Sequence, residues 1–221
     1  MPGQNHDLHG NAPDSSPVAL VLVDVINDLE FPGGDRLEAP AVAAAERIAA
    51  LKRRAREDGV PVIYANDNFG RWRSDFREVV DHVLHDGVRG RRLAELLEPD
   101  EEDYFVLKPK HSAFFATTLD TLLEYLGADR LVLAGITGDI CILLTAADAY
   151  MRDLRLHVPA DCVASIDAEE NRRALDYIAR VFDADTAPSD EIDFAALKRR
   201  DRRETDGAGE EAEGDEEEEG D

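Results

Sequence analysis

The chain has 221 residues, with 49 acidic against 25 basic ones and a formal net charge of −24. That length suits one domain of about 180 residues with tails, enough for a substantial core. So acidic a chain is a poor partner for nucleic acid or an anionic membrane. Its two cysteines, Cys141 and Cys162, make neither a disulfide scaffold nor a zinc site.

Only four of the basic residues are lysines: Lys52, Lys108, Lys110 and Lys198. The segment from Glu204 to Asp221 carries 11 acids and no base, and the rest of the chain is acidic without it. Acidity spread over a domain with little lysine suggests a surface adapted to high salt, where self-repulsion is screened. A halophilic source is the expectation. No apolar run approaches the length of a membrane span, and the opening MPGQNHDLHG has neither a basic nor an apolar signal region. A soluble, cytoplasmic protein with no membrane partner is expected.

Residues 1–16 are polar and rich in Pro, Gly, Asn and Ser, which predicts a flexible arm. Val18 to Val25, VALVLVDV, is a continuous apolar run broken only by Asp24. Such a run suits a parallel strand buried on both faces, where a carboxylate is costly unless partnered or poised for chemistry. The bland alternative is an Asp that caps the next turn. FPGGDRLEAP, 31–40, reads as a loop hinged at Gly33 and Gly34, and Pro40 to Asp58 as an Ala-rich helix stopped by Gly59. Val60 to Ala65 reads as a second strand, and the polar loop NDNFGRWRSDF follows it. Parallel α/β sheets bind ligands beyond the carboxyl ends of their strands. Asn66, Asp67, Asn68, Phe69 and Trp72 are therefore substrate-pocket candidates, against the plainer reading of a turn with one aromatic tucked onto the surface. His82, His85 and His111 are too scattered to argue a metal site.

GVRGRRLAELLEP, 87–99, reads as a loop and helix. Tyr104 to Lys108 is the third strand, with Lys108 at its end, and a helix stopped by Gly127 follows. Leu131 to Ile136 is the fourth strand, and Arg155 to Val158 the fifth. Glu169 to Phe182 is a helix, and 184–187 a short sixth strand or an edge. This alternation of strands and helices predicts a mostly parallel sheet with helices on both faces. The domain is expected over 17–199, with a disordered acidic tail over 200–221.

Between the fourth strand and its helix, TGD is turn chemistry. CILLTAADAYMRD then reads as a helix with Ile142, Thr145, Ala146 and Ala149 on one face. Cys141 thus falls where a strand has ended and a helix begins. Backbone N–H groups and the positive end of a helix dipole favour a thiolate there; the alternative is a buried structural cysteine. Asp24, Lys108 and Cys141 all lie at or just beyond carboxyl ends of strands, so one edge of the sheet gathers an acid, a cation and a thiol. Lys108 would stabilise the thiolate, Asp24 would take and return its proton, and N–H groups of the 136–141 turn would hold an oxyanion. Acyl-transfer hydrolysis through a thioester follows from that set; the competing reading is a buried ion pair beside an inert cysteine.

Three motifs carry a family resemblance: VALVLVDVINDL around Asp24, VLKPKHSAF around Lys108 and LAGITGDICILLTAADAYMRD around Cys141. With PADCVAS at 159–165, they make the span from Val18 to Phe182 resemble the isochorismatase-like cysteine hydrolases. The resemblance implies a three-layer α/β/α fold with a six-stranded parallel sheet, and Asp24 as general base, Lys108 as charged partner and Cys141 as nucleophile. It also implies a cis peptide at Ile136–Thr137, with the N–H groups of Thr137 and Cys141 as the oxyanion hole. It implies a small-molecule substrate and a homo-oligomer, dimer or tetramer. True isochorismatases lack this cysteine, which points away from isochorismate. Nicotinamidases resemble Asp-Trp-His after the second strand, where Asp and His bind a metal; here the stretch is Asp67-Asn68-Phe69, and Phe cannot ligate one. The expectation is a hydrolase of a small amide or carbamoyl compound with no cofactor and no metal. The alternatives are a nicotinamidase-type amidase, or a non-catalytic thiol redox or binding protein on the same fold.

Overall fold

A computed structural model of the chain describes residues 15–67 and 75–199. The expected arm before residue 15, the tail 200–221, and pocket candidates Asn68, Phe69 and Trp72 lie outside the described residues. Ser16, placed in the arm by sequence, is already packed: its N–H donates to the Leu126 carbonyl and its hydroxyl to that of Val18.

The strands are β1 (Val18–Val23), β2 (Val62–Asp67), β3 (Tyr104–Lys108), β4 (Arg130–Ile136), β5 (Arg155–His157) and β6 (Val163–Ala164). They form one six-stranded sheet in the order β3-β2-β1-β4-β5, with β6 also pairing β4, and every strand pair is parallel. The helices are α1 (Gly34–Glu57), α2 (Phe76–His85), α3 (Arg91–Leu96), α4 (Leu119–Leu126), α5 (Leu143–Tyr150), α6 (Ala168–Val181) and α7 (Phe194–Lys198). Alternate residues of β1 serve two cores. Val18, Leu20 and Leu22 pack with Leu37, Ala41, Ile48 and Leu51 of α1. Ala19, Val21 and Val23 pack with Leu123 of α4, Ala146 of α5 and Ile178 of α6. Both faces are covered, which is why β1, β2 and β4 read as largely apolar runs. Among the described residues no helix is long and apolar enough to cross a membrane.

Several elements differ from the sequence reading. Helix α1 begins at Gly34, so most of 31–40 is helix, with Pro40 inside it. Proline removes one helical hydrogen bond. Leu37, Ala41, Ala44, Ala45 and Ile48 nevertheless continue a single buried stripe across it, and this packing outweighs the lost bond. Asn66 and Asp67 belong to β2 rather than to the loop after it. The segment from Phe76 to His85 is a helix, capped by the Asp75 side chain accepting from the Glu78 N–H. The sixth strand is Val163–Ala164; 184–187 contributes only a single bridge, between Asp185 and His157.

The chain runs from β1 out to β3 and then returns to β4 on the other side of β1. Ligands bind at this kind of switch in strand order. Register fixes what gathers there: Val23 lies beside Ala65 and Gly135, and Asp67 beside Lys108. Gly135 has φ +134°, and a Cβ on it would lie 2.1 Å from the Val23 carbonyl oxygen. The close approach of β4 to β1 beside Asp24 therefore requires glycine. Gly135→Ala is expected to lower the unfolding free energy by about 2–4 kcal/mol, read by urea titration.

Candidate active site

The β1–β4 crossing carries Asp24 one residue past β1, at φ 53°. The loop after it is held down by Asn66, whose Nδ2 donates to the Ile26 carbonyl at 2.5 Å and whose Oδ1 accepts from the Ile26 N–H at 3.4 Å. Asn66 is fully buried in that clamp and does not line the cleft, contrary to its place among the pocket candidates.

Asp24 and Lys108 are both buried. Lys108 Nζ lies 2.7 Å from Asp24 Oδ2, and Asp24 Oδ1 accepts the Asp67 N–H at 2.8 Å. The Lys108 ammonium also donates to the Lys110 carbonyl at 3.2 Å and lies 3.7 Å from Cys141 Sγ. The Asp24 charge also acts on the Cys141 thiol. The structure thus brings the acid and the thiol to the same ammonium.

Cys141 does not stand at an α-helix N-terminus. It lies in a π-helical turn, Gly138–Ile142, that leads into α5. The peptide bond between Ile136 and Thr137 is cis, where the resemblance implies one. The Thr137 carbonyl accepts from the N–H groups of Ile140 and Ile142. Behind the turn, Ser165 Oγ accepts the Asp139 N–H at 3.2 Å and donates to Asn171 Oδ1 at 2.9 Å. A side chain at Gly138 would collide with that Asn171 oxygen, since its Cβ would lie 2.2 Å away.

The electrostatics correct one expectation. Burial pushes the Cys141 thiol up to about 12; the Asp24 charge adds to the rise, and Lys108 and the Thr137 N–H oppose it only in part. The resting sulfur is a thiol, not a thiolate. Burial also raises the Asp24 carboxyl, against the pull of Lys108, the thiol and the Asp67 N–H. Burial works against the Lys108 charge, but attraction to Asp24, Cys141 and Asp67 outweighs it and leaves its pKa above the ordinary value. Burial thus favours the protonated form of the sulfur and makes Asp24 a stronger base than an ordinary carboxylate.

The cleft above the cluster has a volume of about 530 Å³. Asp24, Thr137 and Cys141 form its polar floor; Phe31, Leu37 and Ile140 give it apolar walls; Asp67 and His111 also line it. Of the five pocket candidates, only Asp67 is placed there by the described residues. His111 was missed as a site residue: its Nδ1 lies 3.8 Å from Cys141 Sγ. The available signal was its position three residues after Lys108. Cys162 is fully buried away from the cleft. Among the described residues no group of three or more His, Cys, Asp or Glu side chains is arranged to hold a metal ion; position 69, which bears on that question, lies outside them.

Removing Lys108 would leave Asp24 as an uncompensated buried charge. Lys108→Met is expected to cost about 3–5 kcal/mol at pH 7. A carboxyl whose folded pKa lies above its unfolded value destabilises the fold as pH rises through the unfolded value, ~3.9. The deficit against wild type should therefore shrink towards pH 4, as followed by urea unfolding at both pH values.

Comparison with known proteins agrees with this architecture. The isochorismatase domain model matches residues 18–188. An uncharacterised isochorismatase family protein of Bacillus subtilis (strain 168), YaaI, is 38% identical over 174 residues, covering 79% of this chain and 95% of its own. Maleamate amidohydrolase of Pseudomonas putida is 31% identical over 185 residues, covering 79% of this chain and 82% of its own. Among solved structures, N-carbamoylsarcosine amidase of Thermoplasma acidophilum matches with a TM-score of 0.62 at 30% identity, over 80% of this chain and 98% of that one. Sheet order, domain match and sequence identity together place the chain in the isochorismatase family of hydrolases.

Proposed function

We propose that the protein is a cysteine-dependent amidohydrolase that cleaves a C–N bond of a small amide or carbamoyl compound through a thioester on Cys141. The observation that carries this reading is the meeting of Asp24 and Cys141 at one ammonium, that of Lys108, with the acid and the thiol both lining an open cleft. The names of two relatives, a maleamate amidohydrolase and an N-carbamoylsarcosine amidase, support the same reaction class.

In this reading the substrate carbonyl sits over the sulfur, with its oxygen towards the N–H groups of Thr137 and Cys141. Asp24 takes the thiol proton as the S–C bond forms. Lys108 holds the Asp24 carboxylate in place and keeps the cluster neutral overall. The tetrahedral oxyanion collapses, the C–N bond breaks, and the proton on Asp24 goes to the departing nitrogen. Water then adds to the thioester carbonyl, the C–S bond breaks, and the acid and the thiol are released.

The redox-sensing alternative is disfavoured by the thiol itself. Sensor cysteines are exposed and of low pKa, whereas Cys141 is 9% exposed and pushed up to about 12. Ammonia release is the assay, against a panel of small primary amides including maleamate, N-carbamoylsarcosine and nicotinamide, the last with and without added zinc. Cys141→Ala is expected to keep the wild-type melting temperature and lose at least about 10³-fold in kcat/KM on whichever amide is turned over. Asp24→Asn should lose about 10²–10⁴-fold. A Cys141→Ala protein with full activity would sink the proposal.

A further inference from the structure

We infer that His111 is a second catalytic residue, the base that activates water to hydrolyse the thioester on Cys141. The inference rests on the nucleophilic role proposed for Cys141 and divides the two half-reactions between two bases.

Asp24 lies on the core side of the sulfur. It is 5% exposed, and its two oxygens are already engaged by Lys108 and the Asp67 N–H. His111 lies on the other side. It is exposed and lines the cleft, and its Nδ1 is 3.8 Å from Cys141 Sγ. Both groups line the cleft, and the imidazole is the more exposed of the two bases.

The backbone beside the ring is also held in place. The residues after it anchor the loop to α5: Ser112 Oγ donates to Asp148 Oδ2 at 2.5 Å, and the Ala113 N–H donates to Thr145 Oγ1 at 3.0 Å. A loop tied down at adjacent residues keeps a base at one distance from the reacting carbonyl, as general-base catalysis requires.

With the ring proton on Nε2, Nδ1 is the acceptor. Water gives its proton to Nδ1 as its oxygen bonds to the thioester carbon. The tetrahedral intermediate expels sulfur, the C–S bond breaks, and the imidazolium returns the proton to the sulfur. The free acid and the Cys141 thiol are the products, with no oxidant or metal required. The titratable groups facing the same cleft are Asp24, Asp67 and Cys141, with Lys108 behind Asp24.

The test uses p-nitrophenyl acetate, an activated ester that acylates thiols without needing the natural substrate. Nitrophenolate release separates acylation, seen as a burst, from hydrolysis, seen as the steady rate. His111→Gln is expected to keep the burst and to accumulate acetyl-Cys141 by mass spectrometry, while its steady rate falls at least about 10²-fold. A merely structural role would lower burst and steady rate together, and that result overturns the proposal. So does a variant that clears acetyl-Cys141 as fast as wild type, although the Cys141 nucleophile would then stand. Failure of the wild type to form acetyl-Cys141 overturns both readings.

Discussion

The buried contact between Asp24 and Lys108 is the constraint on which the site depends. Two charges are taken out of water at the end of a parallel sheet, and each is tolerated because the other lies 2.7 Å away. The sheet register makes this meeting unavoidable: β1 ends beside β2 at Asp24, and Lys108 reaches past Asp67 from one strand further out. The pair then shapes the chemistry of the thiol, which lies 3.7 Å from the ammonium. The ammonium is engaged by the carboxylate, so little of its field is left to hold a thiolate, and burial makes the carboxylate a stronger base. In the proposed reaction such a site would move a proton as Cys141 attacks, rather than keep a charged nucleophile in waiting.

The cleft is correspondingly two-sided. Towards the core lie Asp24, Lys108 and the Asp67 N–H; towards solvent lie His111 and the apolar walls at Phe31 and Ile140. The π-helical turn with Cys141 stands between the two sides, braced from behind by Ser165 and Asn171. Gly138 and Asn171 act as a matched pair, the missing side chain at one leaving room for the amide at the other.

Much of this was legible in the sequence. Strands buried on both faces show as unbroken apolar runs, so β1, β2 and β4 could be located, and the acid and the thiol with them; the edge strand β3 still shows as the short apolar run that ends at Lys108. Other features lacked a local signal. The two-residue β6 is too short for any periodicity, and a π-helical turn has the composition of an ordinary helix start. Pro40 hid the first turns of α1, because proline usually marks a boundary whereas here the apolar stripe runs through it. Asn66 looked like a loop residue because polarity was read as exposure; it is a buried clamp with both amide atoms bonded to Ile26. His111 had no partner within its own segment, and only the tertiary fold brings it to the sulfur.

The thiol was the most instructive misreading. A helix N-terminus stabilises an anion by about 0.3–1 kcal/mol, less than one pKa unit. Burial and the neighbouring carboxylate raise Cys141 from 9.0 to about 12, so desolvation outweighs the dipole. The measurement that tests this account most directly is the pH dependence of iodoacetamide labelling at Cys141, in wild type and in Asp24→Asn. The account predicts a wild-type rate still rising without a plateau at about pH 10, well past the ~8.5 of a free thiol. It predicts a lower labelling pKa in Asp24→Asn, where Lys108 faces the sulfur without the competing carboxylate. A wild-type pKa at or below that of a free thiol, or one that Asp24→Asn leaves unchanged, would contradict the claim that Asp24 holds the sulfur protonated and takes its proton in the reaction.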